Sequence, residues 1–378
     1  MQHRPFRCLL LAGALLMSFT PSAMSQTATT PGAAADAWQT APLTEAGFAA
    51  ETGDLLDALY GSGELPDLHA VVVARHGKLV LERYFEGEDE IWGDPQGSVA
   101  FGPEVMHDLR SVSKSIVGLL YGIALAEGTV PPRETPLVDL FDYADLAADP
   151  ARQKITVEHA LTMTMGLAWD ETLPYSDPRN SEIAMERSED RYRYILERPI
   201  VTDPGSQWTY SGGATALLAH LVSRGSGKPL IDYAREKLFT PLGIDQSSWT
   251  PGFSGEAAAA SGLRLTARDL ARIGQMVLNG GRWNEHQIVP ALWLRDSFVR
   301  HAAVEDGLSY GYQWWLGQGR RGGRGWMAGI GNGGQRLAVF PDLDLVMVVY
   351  AGRYNQRDAW RLSVRILTEV LFPSLRAP

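Results

Sequence analysis

The chain has 378 residues, of which 45% are hydrophobic and 21% charged, and its formal net charge at pH 7 is −10. An acidic protein gains no electrostatic attraction to nucleic acid or to an anionic bilayer, so the charge argues against both partners. Cys8 is the only cysteine, which excludes an intramolecular disulfide and any metal site built from several cysteines.

Residues 1–25 have the pattern of a secretory signal peptide. Arg4 and Arg7 precede an apolar run that ends near Phe19, and small residues follow as far as Ser25. The run is roughly a dozen residues, shorter than the roughly 20 that span a bilayer as a helix. We therefore expect a periplasmic or secreted protein, cleaved near Ser25, with no cysteine and no stable membrane anchor.

The mature chain begins with small and polar residues, so 26–45 is predicted to be a flexible N-terminus. Two β-rich runs at 69–75 and 79–85 follow, and the short turn between them indicates a hairpin. Residues 111–126 are apolar on nearly every side, which predicts a buried helix.

The middle of the chain, about 132–262, is rich in loops, and its helix candidates are 155–167, 214–227 and 229–239. Strand composition then returns at 309–317, 326–331, 335–340 and 345–352. A final helix at about 357–372 would place on one face Trp360, Val364, Leu367 and Leu371.

Strands at both ends of the chain, with helices between them, predict an α/β fold. Its antiparallel sheet would be formed from N- and C-terminal segments and flanked by helices. A mainly helical region at about 132–262 would be inserted. We expect residues 46–378 to form this single domain.

Ser111 is the strongest candidate for a nucleophile. A serine hydroxyl needs a neighbouring base, and Lys114 follows three residues later, on the same face of the predicted helix. The positive end of that helix and the apolar surroundings would lower the lysine pKa. The alternative, a serine that caps the helix beside a surface lysine, has about equal weight on this spacing alone.

Two further segments could complete a site. Tyr210 lies in the aromatic loop 208–213, where a tyrosine near a lysine amine can act as general base towards the serine and general acid towards a leaving group. The glycine-rich run 329–335 enters a strand, and its backbone N–H groups could bind an oxyanion. Taken singly, a partly buried tyrosine and a flexible glycine turn are the simpler interpretations.

The order of these three motifs resembles the serine β-lactamase and penicillin-binding superfamily of SxxK hydrolases. The similarity is greatest to its class C-like branch, which includes carboxylesterases, D-aminopeptidases and 6-aminohexanoate-dimer hydrolases. It extends from about residue 68 to 372, and its similar segments are 109–120, 155–171, 208–213, 238–244, 262–283 and 331–335.

The resemblance implies catalytic roles for Ser111 as nucleophile, Lys114 as base and Tyr210 as relay phenol. It implies an oxyanion hole made by the backbone N–H groups of Ser111 and Gln335. It also implies substrate contacts from Asn332, Gly333 and Gly334, and no metal or cofactor.

Two departures affect the expected substrate. The Y-S-N loop of penicillin-active relatives is Tyr210-Ser211-Gly212 here, and their K-T-G strand motif is Asn332-Gly333-Gly334. The side-chain amide and the lysine that hold a β-lactam are therefore absent. An arginine, Arg336 or one from the 320–324 turn, could supply the missing charge.

Other patterns have weaker support. Ser309 lies in a GxSxG pattern, but a strand rather than a helix follows it. The histidines show no metal-ligand pairing and are interpreted as structural. Asp170, Glu171 and Tyr175 either line the entrance of the site or belong to a solvated loop.

The sequence thus predicts a serine hydrolase that cleaves small-molecule esters or amides through an acyl-serine intermediate, most plausibly a carboxylesterase or small-amide hydrolase. The alternatives are a β-lactamase or D-alanyl-D-alanine peptidase, and a non-catalytic cell-wall peptide-binding protein of the same fold. The sequence does not indicate an oligomeric state.

Overall fold

The structure, a computed structural model, describes residues 38–318 and 325–376. The predicted signal peptide, its cleavage site and the 320–324 turn lie outside these residues. The strands are β1 (Leu68–Arg75), β2 (Lys78–Tyr84), β3 (Glu86–Ile91), β4 (Asp94–Ala100), β5 (His107–Asp108), β6 (Ser248–Trp249), β7 (Leu263–Leu265), β8 (Arg282–Trp283), β9 (His286–Gln287), β10 (Ala302–Ala303), β11 (Ser309–Tyr310), β12 (Trp315–Gly317), β13 (Trp326–Gly331), β14 (Gln335–Phe340) and β15 (Leu345–Ala351).

The α-helices are α1 (Thr52–Gly61), α2 (Val112–Ala126), α3 (Ala144–Ala147), α4 (Val157–Leu161), α5 (Ser181–Glu186), α6 (Arg191–Leu196), α7 (Gly212–Ser226), α8 (Leu230–Ala234), α9 (Ala267–Leu278), α10 (Ala291–Ser297), α11 (Trp360–Arg365) and α12 (Phe372–Ser374). Single π-helical turns extend α8 through Arg235–Phe239 and join α11 to α12 through Ile366–Leu371.

The main sheet has eight strands in the order β10-β11-β12-β13-β14-β15-β1-β2. Neighbouring strands are antiparallel, and β1 from the N-terminal half pairs with β15 near the C-terminus, with Val72 opposite Val348. The predicted α/β fold, with an antiparallel sheet from both ends of the chain and flanking helices, is therefore confirmed. The middle region supplies α3 to α8 and β6.

Successive side chains of a strand point to opposite faces of the main sheet, and the core therefore has two layers. Leu337 and Val339 of β14 pack in the cluster that contains α2, α7 and α9, whereas Ala338 and Phe340 pack in the cluster under the C-terminal helix. Successive strand residues face opposite sides of a sheet. Arg336 therefore lies on the C-terminal-helix side, away from α2, and does not supply the charge suggested from the sequence.

The N-terminal segment is ordered further than its composition predicts. Residues 39–41 pair with β2, through Leu79 N–H to Gln39 O at 2.8 Å and Ala41 N–H to Leu79 O at 3.0 Å. The indole of Trp38 donates to Gly77 O at 2.8 Å. The prediction of flexibility is thus wrong for residues 38–45, because backbone pairing to a sheet edge does not require an apolar sequence.

Two other local predictions are corrected. The candidate 155–167 is helical only in α4, because Met163 adopts a positive φ of 56° that ends the helix. The C-terminal helix buries Leu367 and Leu371 of the predicted face, but Trp360 is 49% exposed, and Leu362, Ile366 and Val370 are buried as well. No helix in the described parts of the chain is long and apolar enough to cross a membrane.

Candidate active site

Ser111 immediately precedes α2, and its hydroxyl does not cap the helix. The residue has helical angles, φ −68° and ψ −3°, and its side chain makes no capping hydrogen bond. Instead, Ser111 Oγ accepts a hydrogen bond from Lys114 Nζ at 3.2 Å. The capping-serine alternative is therefore contradicted by the geometry, and the serine and lysine meet one helical turn apart.

Lys114 is buried, with 1% of its surface exposed. Besides Ser111, its ammonium faces Ala260 O at 3.2 Å and Glu182 Oε2 at 3.5 Å. Burial lowers the pKa of Lys114, but the charges of Glu182, Tyr210 and Glu171 raise it more, so the net pKa lies above the usual lysine value. The sequence-based expectation of a lowered pKa is therefore wrong for the substrate-free protein, because it omitted the carboxylates.

Glu182 is the main site residue that the sequence reasoning missed. It is 2% exposed at the start of α5, which Asn180 caps by accepting from Glu182 N–H at 3.0 Å. Ser261 Oγ donates to Glu182 Oε1 at 2.7 Å, so each carboxylate oxygen has a partner. The only signal in the sequence was the asparagine cap, because the acidic and basic residues around it are typical of an exposed helix.

Gly212 explains how Glu182 fits beside the lysine. A Cβ atom at position 212 would collide with the Glu182 carboxylate. Any residue with a side chain at position 212 would therefore require the Glu182 carboxylate to move.

Tyr210 lies beside Lys114, with the Lys114 Nζ atom 4.8 Å from the centre of the ring. The loop is fixed on both sides: Thr209 N–H donates to Met163 O at 2.8 Å, and Ser211 caps α7 through Ala214 N–H at 3.2 Å. Burial raises the pKa of Tyr210, Lys114 lowers it, and the balance lies above the usual tyrosine value. The group therefore rests as a neutral phenol at neutral pH.

Glu171 connects the loop of Tyr210 to the neighbouring loop. Its carboxylate accepts from Gly212 N–H at 2.5 Å, Trp169 Nε1 at 2.6 Å and Tyr175 Oη at 2.9 Å. Burial and the Glu182 charge raise the pKa of Glu171 to about 7, although Lys114 lowers it. Asp170, in contrast, is exposed and accepts from Thr172 N–H within its own turn.

The β13 strand packs closely against residues on both sides of Ser111. A Cβ on Gly329 would lie 2.9 Å from Val112 Cγ1, and one on Gly331 would lie 3.1 Å from Arg110 Cβ. These glycines let the β13 backbone pack against the turn that carries Ser111.

Gln335 lies in the neighbouring strand, β14. It is fully buried in β14 opposite Gly331, and its side chain bonds Ala351 N–H at 3.0 Å and Ala351 O at 2.6 Å. Gln335, Gly333 and Gly334 are not among the described residues that line the cavity, whereas Asn332 is. Asn332 is held by Asn355, whose N–H donates to Asn332 Oδ1 at 2.8 Å.

A cavity of about 320 Å³ opens beside Ser111. Its described lining combines aromatic, acidic and basic side chains with Ser111 at the base, namely Glu90, Trp92, Gly93, Arg110, Ser111, Tyr175, Ser176, Glu182, Ile183, Arg187, Phe253, Ser261, Asn332 and Asn355. Tyr175 therefore lies at the site, as one of the two alternatives for it predicts.

The competing candidates lie elsewhere. Ser309 pairs with Leu316 within the sheet, so it lacks the strand-to-helix turn of a GxSxG nucleophile. His69, Asp89 and His107 are the one group among the described residues whose ligand atoms lie close enough to hold a metal ion.

Hydrogen bonds define the tautomers of this histidine pair. His107 Nδ1 faces Asp108 O at 2.9 Å and must donate to it, so His107 Nε2 accepts from His69 Nδ1 at 2.9 Å. Burial lowers the pKa of both histidines to about 3. Both are therefore neutral and bonded to each other.

Comparison with known proteins gives a consistent family assignment. The family described as Beta-lactamase matches residues 54–363. The chain is 28% identical to the 6-aminohexanoate-dimer hydrolase of Paenarthrobacter ureafaciens, over 84% of this chain and 89% of that protein. It is 27% identical to esterase EstB of Burkholderia gladioli, over 46% of this chain and 44% of that esterase.

A solved structure shows the same fold. The penicillin-binding protein homologue from Pyrococcus abyssi superimposes with a TM-score of 0.65 at 17% identity. The match covers 85% of this chain and 77% of that chain.

Proposed function

Since the chain belongs to the beta-lactamase family, whose members matched here include hydrolases, we propose that it is a serine hydrolase that cleaves esters or small linear amides through an acyl-Ser111 intermediate. The observation that carries this proposal is the 3.2 Å hydrogen bond between Lys114 Nζ and the uncapped Ser111 Oγ. The two groups meet at the base of a cavity large enough for a small substrate.

The proposed reaction begins with a proton shift. Lys114 rests as an ammonium, so it becomes a base by passing one proton to Glu182 Oε2, 3.5 Å away. The amine then accepts the Ser111 proton as Oγ attacks the substrate carbonyl carbon. Tyr210, a neutral phenol, protonates the leaving oxygen or nitrogen and regains a proton from the Lys114 ammonium. In the second half, water attacks the acyl-serine and gives one proton to the Lys114 amine, Tyr210 protonates Ser111 Oγ as it leaves, and Lys114 again reprotonates Tyr210. Glu182 finally returns its proton to Lys114.

The oxyanion that forms during attack needs backbone donors. One is the N–H of Ser111, as the sequence predicts. For the second, we replace Gln335 with the β13 backbone between Gly329 and Gly331, which packs against the Ser111 turn. No metal or cofactor is required for these steps.

We favour esters and linear amides over β-lactams for two reasons. Asn332 occupies the position of the carboxylate-binding lysine, and Gly212 occupies the position of the Y-S-N asparagine. We further propose that the enzyme acts in the periplasm or outside the cell, because residues 1–25 read as a signal peptide.

An activity-based fluorophosphonate probe tests the proposal. We expect the probe to modify the peptide that contains Ser111. The Ser111→Ala variant should lose labelling and turnover, with an unchanged thermal unfolding midpoint. Ser309→Ala serves as the matched control and should label normally. Modification of Ser309 in the wild type would instead identify a different nucleophile.

A further inference from the structure

Three side chains form the mouth of the cavity. The Trp92 and Phe253 ring centres are 5.8 Å apart, and the Arg187 guanidinium lies 5.7 Å from the centre of the Phe253 ring. Phe253 is 63% exposed. An exposed aromatic beside a cavity, extended by a second ring, is typical of a surface that receives a ligand rather than one that only stabilises the fold.

Trp92 is held in a strained conformation at this mouth. Its φ is 50°, in the left-handed region that bulky residues rarely adopt. The backbone N–H donates to Asp108 Oδ2 at 2.6 Å, and the indole Nε1 donates to Ser261 Oγ at 3.0 Å. Strain of this kind persists only where the surroundings enforce it, and it concentrates at functional sites.

The same hydrogen bonds link the mouth to the catalytic end of the cavity. Ser261 Oγ accepts from Trp92 and donates to Glu182 Oε1 at 2.7 Å. Glu182 in turn contacts Lys114 at 3.5 Å. The indole is thus fixed relative to the groups that surround Ser111.

Arg187 is the lining cation that remains available to a ligand. Arg110 is paired with Glu90 at 2.5 Å and with Asp108 at 3.3 Å. Arg187 follows α5 as its C-terminal cap and is exposed. Among the residues that the structure describes, no carboxylate pairs with Arg187.

The carboxylates that line the cavity, unlike the Arg187 guanidinium, already have hydrogen-bonding partners. Glu90 bonds Arg110, and Glu182 is shared between Lys114 and Ser261. A cationic substrate group would have to compete with these internal partners, whereas an anionic group meets the unpaired Arg187. The charges therefore favour an anion at the mouth.

We propose that Trp92, Phe253 and Arg187 form a subsite for a substrate whose acyl or leaving half is an apolar chain that ends in a carboxylate. The chain lies along the two rings, and the carboxylate binds the Arg187 guanidinium. This inference rests on the proposed function and narrows its substrate class to carboxylate-terminated esters or linear amides.

Matched substrates and Arg187 variants test the subsite. The acyl series compares 4-nitrophenyl hydrogen adipate with its methyl-capped diester, and the leaving-group series compares 4-carboxyphenyl butyrate with 4-acetylphenyl butyrate. Arg187→Ala should lower kcat/KM for the carboxylate member of at least one pair by about 3- to 10-fold, mainly through KM, because the contact is partly exposed. Arg187→Glu should lower it further, by about 10- to 30-fold. The uncharged members should change less than about twofold.

Arg179→Ala is the control, because Arg179 is exposed nearby in the sequence and already paired with Asp177 at 2.7 Å. It should leave both series unchanged. Equal effects of Arg187→Ala on charged and uncharged members of both pairs would overturn the subsite. A higher kcat/KM for 4-nitrophenyl 6-aminohexanoate than for the adipate monoester would also overturn it. Neither result affects the proposed function, which fails only if Ser111 is not acylated.

Discussion

The two ends of the cavity are built differently. At the base, Ser111, Lys114 and Glu182 are 7%, 1% and 2% exposed, and hydrogen bonds hold them together. At the mouth, Phe253 is 63% exposed, and the one contact described for the Arg187 side chain is with the Phe253 ring. Buried charges are costly to disturb, whereas exposed pairs contribute little individually. We therefore expect the base to determine the reaction and the mouth to adjust the choice of substrate.

The largest expected effect comes from separating the charges at the base. Lys114→Met should lower kcat for every substrate by about 10³-fold or more, because it removes the proton acceptor. Glu182→Gln leaves the Lys114 ammonium buried without its carboxylate, so it should destabilise the protein by about 3 kcal/mol and lower kcat by at least about tenfold. Urea unfolding and ester kinetics measure the two effects separately.

A double variant distinguishes stability from catalysis. Lys114→Met with Glu182→Gln leaves no unpaired charge, so it should recover most of the lost unfolding free energy and none of the activity. Additive losses of stability would show that the 3.5 Å contact is not an effective ion pair.

The same contrast explains what could be predicted from the sequence. Ser111 and Lys114 are related by helical spacing, and Tyr210 lies in a distinctive aromatic loop, so short patterns made them candidates. The resemblance along most of the chain then implied their roles. The sheet was predictable because its strands are apolar over several residues, and β1 and β15 are buried almost throughout.

The missed features depend on contacts between distant segments. Glu182 reaches Lys114 across 68 positions of the chain. The β3–β4 hairpin, which carries Trp92, has an acidic first strand and a mostly uncharged second strand, with no apolar alternation across the hairpin. Lys114's raised pKa follows from carboxylates that no local pattern reveals. These features arise from tertiary packing between distant segments, which the hydrophobic periodicity of a single segment does not predict.

An effect of intermediate size on kcat/KM is expected at Asn332, in the wall of the cavity. A hydrogen bond to a charged group contributes about 1.5–3 kcal/mol, so loss of the lysine cation corresponds to roughly one to two orders of magnitude in rate. We expect kcat/KM for a chromogenic cephalosporin to be lower than for p-nitrophenyl butyrate by at least this factor. Asn332→Lys should bring the kcat/KM for the cephalosporin closer to that for p-nitrophenyl butyrate.

Asn332→Ala provides the comparison for Asn332→Lys, because both variants remove the two hydrogen bonds that the Asn332 side chain makes with Asn355 and only one adds a charge. Cephalosporin turnover at the ester's rate by the wild type would mean that another cation serves the substrate carboxylate. Arg187 would then be the first to substitute, since Arg336 faces the other side of the sheet.

The smallest expected effect is a pH dependence of kcat/KM that originates from protonation of Glu171. Its carboxylate accepts three hydrogen bonds, one of them from Gly212 beside Tyr210, and protonation removes acceptor capacity. Because the pKa of Glu171 is about 7, kcat/KM for an uncharged ester should rise a few-fold as pH increases through 7. Glu171→Gln should flatten this rise, and an unchanged rise in the variant would assign it to another group.

Stability should change in the opposite direction. The folded pKa of Glu171, about 7, exceeds the ordinary value of 4.5, so the folded protein binds more protons than the unfolded chain between these values. The unfolding free energy should therefore fall as pH rises from about 4.5 to about 7. Glu186, whose pKa burial also raises to about 7, contributes a slope of the same sign. Glu171→Gln should consequently reduce the slope without abolishing it, as urea unfolding at pH 5 and pH 8 would measure, and Glu171→Gln with Glu186→Gln should reduce it further.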